Sequence, residues 1–122
     1  MEMKKNRYEA VKNYLSNLEK GAVDNILDCF DHNAMLTSPM AGRISPGDFF
    51  PNLFVQLKTA KIELIEFFNS TDSADSVAAH FKYSWELKDG SKAALQCVDI
   101  IKFAPNTDLI SDLNVVAYPI QG

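Results

Sequence analysis

Cysteine and histidine are nearly missing from this sequence, with two of each among 122 residues. Cys29 and Cys97 stand far apart in sequence, so the chain has no disulfide framework and no C-x-x-C redox or metal signature. Reduced thiols and a cytoplasmic location are the expectation. His32 and His80 have no ligand-spaced partners, which predicts no metal site and no metal cofactor. Long apolar runs are absent as well. No stretch approaches the ~18 apolar residues of a membrane span. The charged start at Met1–Lys5 leads into Asn6-Arg7-Tyr8-Glu9, where a secretory signal needs an apolar segment. Positive charge is neither abundant nor clustered: the formal net charge is −4 and Lys and Arg are scattered. Phosphate backbones need grouped cations, so nucleic acid is not an expected partner. No cofactor motif, repeat or low-complexity tract is present.

What is there fits one folded domain over 1–122. Hydrophobic residues make up 47% and charged residues 23%, an ordinary globular balance at a length that supports one core. Tyr8, Val11, Leu15 and Leu18 recur at spacings of three and four and predict a helix over 4–19, with Tyr14 near the edge of the apolar stripe. Gly21 ends that helix, and a short second helix follows from Ala22 to Cys29 or Phe30. The polar cluster Asp31-His32-Asn33 predicts a turn before a brief strand, Ala34–Thr37, which Ser38-Pro39 stops. Met40–Arg43 reads as a loop. Ser45-Pro46-Gly47-Asp48 reads as a capped opening turn, and the proline at 51 predicts that the main helix runs over 51–58.

Strands dominate the remainder, at 61–68, 76–87, 92–103 and 109–117, with a hairpin turn at Lys88-Asp89-Gly90-Ser91. Helices first and a long antiparallel meander afterwards indicate an α+β fold.

Alternation in the hairpin carries the chemical information. Val77, Ala79, Phe81, Tyr83, Trp85 and Leu87 share one phase, while His80, Lys82, Ser84 and Glu86 share the other. In the partner strand Leu95, Cys97, Ile101 and Phe103 share a phase with Asp99. A turn with Gly90 left-handed puts both odd sets on one face, which sets a carboxyl into an aromatic, apolar wall. Ionising an unpaired carboxyl there is costly, so desolvation favours the neutral, proton-donating acid. Such groups gather at functional sites, and buried structural carboxylates also exist.

Two stretches extend this reading. The helix carrying Tyr14, then Gly21, Phe30-Asp31, Ala34 and Ser38-Pro39-Met40-Ala41-Gly42, resembles the opening of the nuclear transport factor 2-like superfamily, in its ketosteroid isomerase and SnoaL-like branch. Val98-Asp99-Ile100-Ile101-Lys102-Phe103, with a turn and a final strand after it, resembles that branch's second hallmark. The resemblance implies a cystatin-like roll: a cone in which a curved antiparallel sheet packs on three N-terminal helices, with a pocket at the open end. It also implies a homodimer through the outer sheet face. In the steroid isomerases a tyrosine and a protonated aspartic acid hold the enolate, and Tyr14 and Asp99 occupy the matching positions. The general base of those enzymes is an aspartate where this chain has Ser38, and a serine hydroxyl cannot take a proton from carbon unaided.

Ser38, Met40, Phe54, Phe81, Tyr83, Trp85 and Cys97 are the expected ligand-binding residues beside Tyr14 and Asp99. Phe49, Phe50, Phe67 and Phe68 are core candidates, some of which line a cavity. Asp112 is an alternative base whose neighbours favour an outward orientation. His80 falls on the polar strand phase, His32 in a turn, and Arg43 in solvent near the pocket mouth. Cys29 reads as a buried, inert thiol. Three functions fit: binding of a small apolar molecule with a carbonyl or phenolic oxygen; an isomerase, cyclase or dehydratase with Asp99 as general acid; or a dimeric scaffold that binds a protein.

Overall fold

The apolar stripe of the first segment folds as α1 (Glu2–Lys20) and lies on the sheet with Val11, Tyr14, Leu15 and Leu18 buried. Burying each large side chain contributes roughly 1.5–3 kcal/mol. Tyr14 is central rather than marginal, at 2% exposure, while Tyr8 is half-exposed and sets its ring edge-on against Phe67 at 5.1 Å. The computed structural model describes residues 2–120, with side chains from Arg7 onward; the side chains of residues 1–6, the charged start and Asn6, lie outside the described residues. Gly21, at φ +65°, turns the chain out of α1. A Cβ there would sit 3.7 Å from the Phe54 ring, so the glycine also allows close packing. The short helix α2 (Val23–Leu27) follows.

Strand β1 (Phe30–Ser38) is longer than its apolar core suggests. Phe30 already pairs with Ile110, and the register shifts between Phe30 and Met35. That irregularity leaves His32 and Asn33 exposed, so a cluster predicted as a turn is accommodated inside a strand. The segment predicted as a loop contains a three-residue strand, β2 (Gly42–Ile44), paired with Leu36–Ser38. Three residues carry too little alternation to be seen in sequence.

Helix α3 (Pro46–Val55) opens as the sequence predicts, with Ser45 Oγ accepting the Asp48 N–H at 3.2 Å and Pro46 in the first turn. It differs in extent: it runs through Pro51 and stops at Val55, short of the predicted end. Burial of Phe50 and Phe54 on either side of the proline offsets the lost amide bond. The chain then enters β3 (Leu57–Asn69), earlier than predicted, because Leu57 pairs with Leu87.

Strands β4 (Ser76–Leu87), β5 (Lys92–Phe103) and β6 (Ile110–Pro119) complete a sheet in the order β2-β1-β6-β5-β4-β3. Neighbours are antiparallel except β1 and β6, which run parallel. Register shifts in β3–β4, β5–β6 and β1–β6 mark where the strands bend. The result is a curved, unclosed sheet around three helices, the α+β arrangement expected. At its edge, Glu19 Oε2 accepts the Ile62 N–H at 2.7 Å and ties α1 to β3. At the other strand ends, Arg7 reaches from α1 into the β3–β4 and β5–β6 loops, where it bonds to Asp75 and to the Thr107 carbonyl.

Candidate functional site

The hairpin register sets the site. Gly90 stands at φ +90°, and Glu86 pairs with Lys92, so odd positions face odd positions up both strands: Tyr83 with Leu95, Phe81 with Cys97, Ala79 with Asp99. These residues look inward. Leu113, Val115 and Ala117 of β6 extend the same wall, and Tyr14 and Leu18 of α1 and Phe49, Phe50 and Leu53 of α3 cover it. Together they enclose a cavity of about 310 Å³, at the small end of ligand pockets. Its mouth lies at the Ser38–Met40 turn and the end of β6.

Asp99 is 1% exposed. Burial drives its carboxyl up to about 7, and the neighbouring Tyr14 phenol, which favours the carboxylate, only partly offsets this. The Tyr14 phenol is pushed well above its usual range by burial first, then by the nearby Asp99 charge. Among the described residues the Asp99 Oδ1 atom has no hydrogen-bond partner. A neutral acid with a free oxygen and an un-ionised phenol beside it can donate two hydrogen bonds to one acceptor atom.

Ser38 is buried at the end of β1 and lines the cavity. Its Oγ accepts the amides of Met40 at 3.1 Å and Ala41 at 3.4 Å, so it holds the turn that shapes the mouth. Met40 lines the cavity and is 89% exposed. Trp85 packs against Tyr83 with ring centroids 4.9 Å apart and planes inclined by 60°, and the Tyr83 hydroxyl is buried without a partner among the described residues. Cys97 lies on the cavity wall, with its thiol pushed up to about 12 by burial and then by Asp99, which leaves it protonated and unreactive. Phe54 departs from expectation. It packs under Gly21 and against Phe50 in the core and does not line the cavity, because its place on α3 turns it away while Phe50 and Leu53 face in.

The remaining candidates fall outside. Asp112 is half-buried and binds Arg43 Nη2 at 2.8 Å, and Arg43 also donates to Thr37 Oγ1 at 3.0 Å. Neither residue lines the cavity. His80 Nε2 meets Gln96 Oε1 at 2.8 Å on the other sheet face, and His32 is exposed beside Asp31. Cys29 is buried, with its thiol donating to the Asn25 carbonyl. Among the described residues no three His, Cys, Asp or Glu side chains could hold a metal together, and no helix is long and apolar enough to cross a membrane. Sequence reasoning missed the contribution of β6 to the cavity. The alternation Leu113, Val115, Ala117 was the available signal.

No protein-family model and no curated protein matches the sequence. Solved structures do resemble the fold. The epoxide hydrolase/cyclase-like enzyme SalBIII, of pyran ring formation in the polyether salinomycin, superposes with a TM-score of 0.80 at 21% identity, over 97% of this chain and 95% of its own. RV0760c from Mycobacterium tuberculosis, in complex with estradiol-17β-hemisuccinate, gives 0.74 at 14% identity, over 90% and 92%. An NTF2-like protein of unknown function from Exiguobacterium sp. 255-15 gives 0.71 at 15% identity, over 89% and 98%. The chain therefore has the nuclear transport factor 2-like fold, the architecture its opening and its Asp99 strand resemble.

Proposed function

We propose that this chain binds a small, flat, apolar molecule through a carbonyl or phenolic oxygen, with Tyr14 and Asp99 as its paired hydrogen-bond donors. One observation carries the reading: a carboxyl 1% exposed, with an oxygen unpartnered, lies in an otherwise apolar cavity beside a buried phenol. Leaving a buried acid unsatisfied costs about 1–3 kcal/mol, and a ligand acceptor removes that cost. The steroid ester bound by RV0760c, which shares the fold, belongs to the same broad class of compound. Thermal-shift titration with steroids, phenols and polyketide-like aromatics tests the proposal. Stabilisation by at least one class that Asp99→Ala abolishes supports it; no stabilisation by any class refutes it.

A second reading is an isomerase, cyclase or dehydratase, and the Asp99 carboxyl poised near 7 favours it, since such a group exists in both proton states at neutral pH. Among the described residues Asp99 is the only carboxyl on the cavity wall, so it would give and retrieve the proton itself. Turnover lost in Asp99→Asn and kept in Ser38→Ala is the signature of this reading. A homodimer through the outer sheet face suits either reading, because Ile100 and Val116 are 41% and 50% exposed there. A protein-binding scaffold would use the same patch. Two buried cysteines without a disulfide suit the reducing cytoplasm.

A further inference from the structure

Three buried side-chain polar atoms lack a partner among the described residues, and two belong to the cavity wall: Asp99 Oδ1 and the Tyr83 hydroxyl. The third, Arg7 Nε, belongs to a guanidinium stacked on the Phe103 ring at 4.4 Å. Tyr83 has no such compensation. Its cross-strand neighbours are Ile62 on β3 and Leu95 on β5, and neither side chain can accept or donate. Phe81, two residues earlier on the same face, is equally buried, so this wall holds a phenylalanine without difficulty. A phenylalanine at position 83 would pack the same ring against Trp85 and leave no polar atom stranded. Buried tyrosine hydroxyls ordinarily find a partner, and the adjoining space from which one can come is the cavity.

We infer that the ligand carries two oxygen functions, one received by Asp99 and Tyr14 and the other by Tyr83, which makes Tyr83 the residue that selects for the second oxygen. This inference rests on the binding function proposed above. The strand register sets the spacing. Tyr83 lies opposite Leu95, four residues from Asp99 along β5, or ~13 Å of extended backbone. Both residues line the same cavity of about 310 Å³, a space that suits a fused two- or three-ring molecule. The chemical class is thus a flat fused-ring compound oxygenated at both ends, such as a hydroxylated aromatic ketone or a dihydroxyarene. Trp85 lines the cavity at the Tyr83 end.

Calorimetric titration of β-naphthol, and of the dihydroxynaphthalene whose second hydroxyl lies at the far end of the rings, tests the inference on wild type and Tyr83→Phe. In wild type the dihydroxy compound should bind about tenfold tighter, the worth of one net hydrogen bond. Tyr83→Phe should erase that preference, weakening the dihydroxy compound about tenfold, to the level of β-naphthol. Equal binding of both compounds, or a preference that survives Tyr83→Phe, overturns the second anchor and leaves the pocket intact. If neither compound binds, the pocket reading fails for this class and the inference fails with it. Unliganded Tyr83→Phe should melt at or above the wild-type temperature. A loss of several degrees would show a structural partner for the hydroxyl and overturn the inference.

Discussion

Arg7 Nη2 on α1 and Asp75 Oδ1 on the β3–β4 loop lie 2.6 Å apart, joined across 68 residues of sequence. The guanidinium is buried and the carboxyl is 37% exposed. The pair pins the first helix to the strand ends opposite the cavity mouth.

That asymmetry fixes which partner matters more. Asp75→Ala leaves a buried, unpaired guanidinium and should cost about 3–5 kcal/mol. Arg7→Met leaves a carboxyl that water can reach and keeps an apolar contact with Phe103, so it should cost about 1–2 kcal/mol. Urea unfolding of the two variants decides the matter, and a larger loss for Arg7→Met would contradict the burial argument.

Asp99 should make stability fall as pH rises. Its carboxyl is ordinary, near 3.9, in the unfolded chain and about 7 in the fold. The folded state therefore binds more protons between those values. The contribution is fully present below about pH 4 and is lost through pH 7, on the order of 4 kcal/mol at 1.36 kcal/mol per unit. Asp99→Asn has no proton to lose, so its stability should be flatter with pH over this window. Parallel melting curves for the two proteins from pH 4.5 to 8 would rule this out.

Ligand affinity should follow the same proton. A neutral Asp99 donates to an acceptor oxygen; the carboxylate repels it. Affinity for an uncharged aromatic ketone should hold below pH 6 and fall toward tenfold per unit above about pH 7. Trp85 is the sole tryptophan and lines the cavity, so its fluorescence reports occupancy directly. Asp99→Asn keeps an N–H donor and should bind without that pH dependence.

Ser38 should behave as a turn residue. Ser38→Ala removes the acceptor for the Met40 and Ala41 amides and should cost about 1 kcal/mol of stability. Affinity for aromatic ligands should change less than threefold. A tenfold loss of affinity with stability intact would show that the hydroxyl contacts the ligand.

A charge on the outer face tests the proposed dimer. Ile100 and Val116 lie exposed on β5 and β6. Ile100→Lys with Val116→Lys should convert a dimer to a monomer in sedimentation while the melting temperature of the fold stays within a few degrees. A wild-type protein that sediments as a monomer would end the idea.

Much of this was legible in the sequence because it depends on local pattern. The odd phase from Val77 to Leu87 and the turn at Gly90 determined which residues of the hairpin face inward, since strand alternation has a period of two. The same count placed Asp99 in an apolar wall. Ser45 and Pro46 announced the start of α3 through the amides that a helix leaves unsatisfied.

Only the tertiary structure decided what depends on contacts between distant segments. The sequence suggests Phe54 for the cavity and Phe50 as a core candidate, yet helix packing turns Phe54 to the core and Phe50 to the cavity. Nothing in the spacing around Arg7 marks it as buried, and the approach of Asp75 and the Thr107 carbonyl makes its burial tolerable. The parallel pairing of β1 with β6, and the extension of β1 to Phe30, follow from a partner strand eighty residues away. A side chain's phase along its own strand is a local property that spacing reveals. Its neighbours across the fold are set by how the layers close, and no local pattern carries that information.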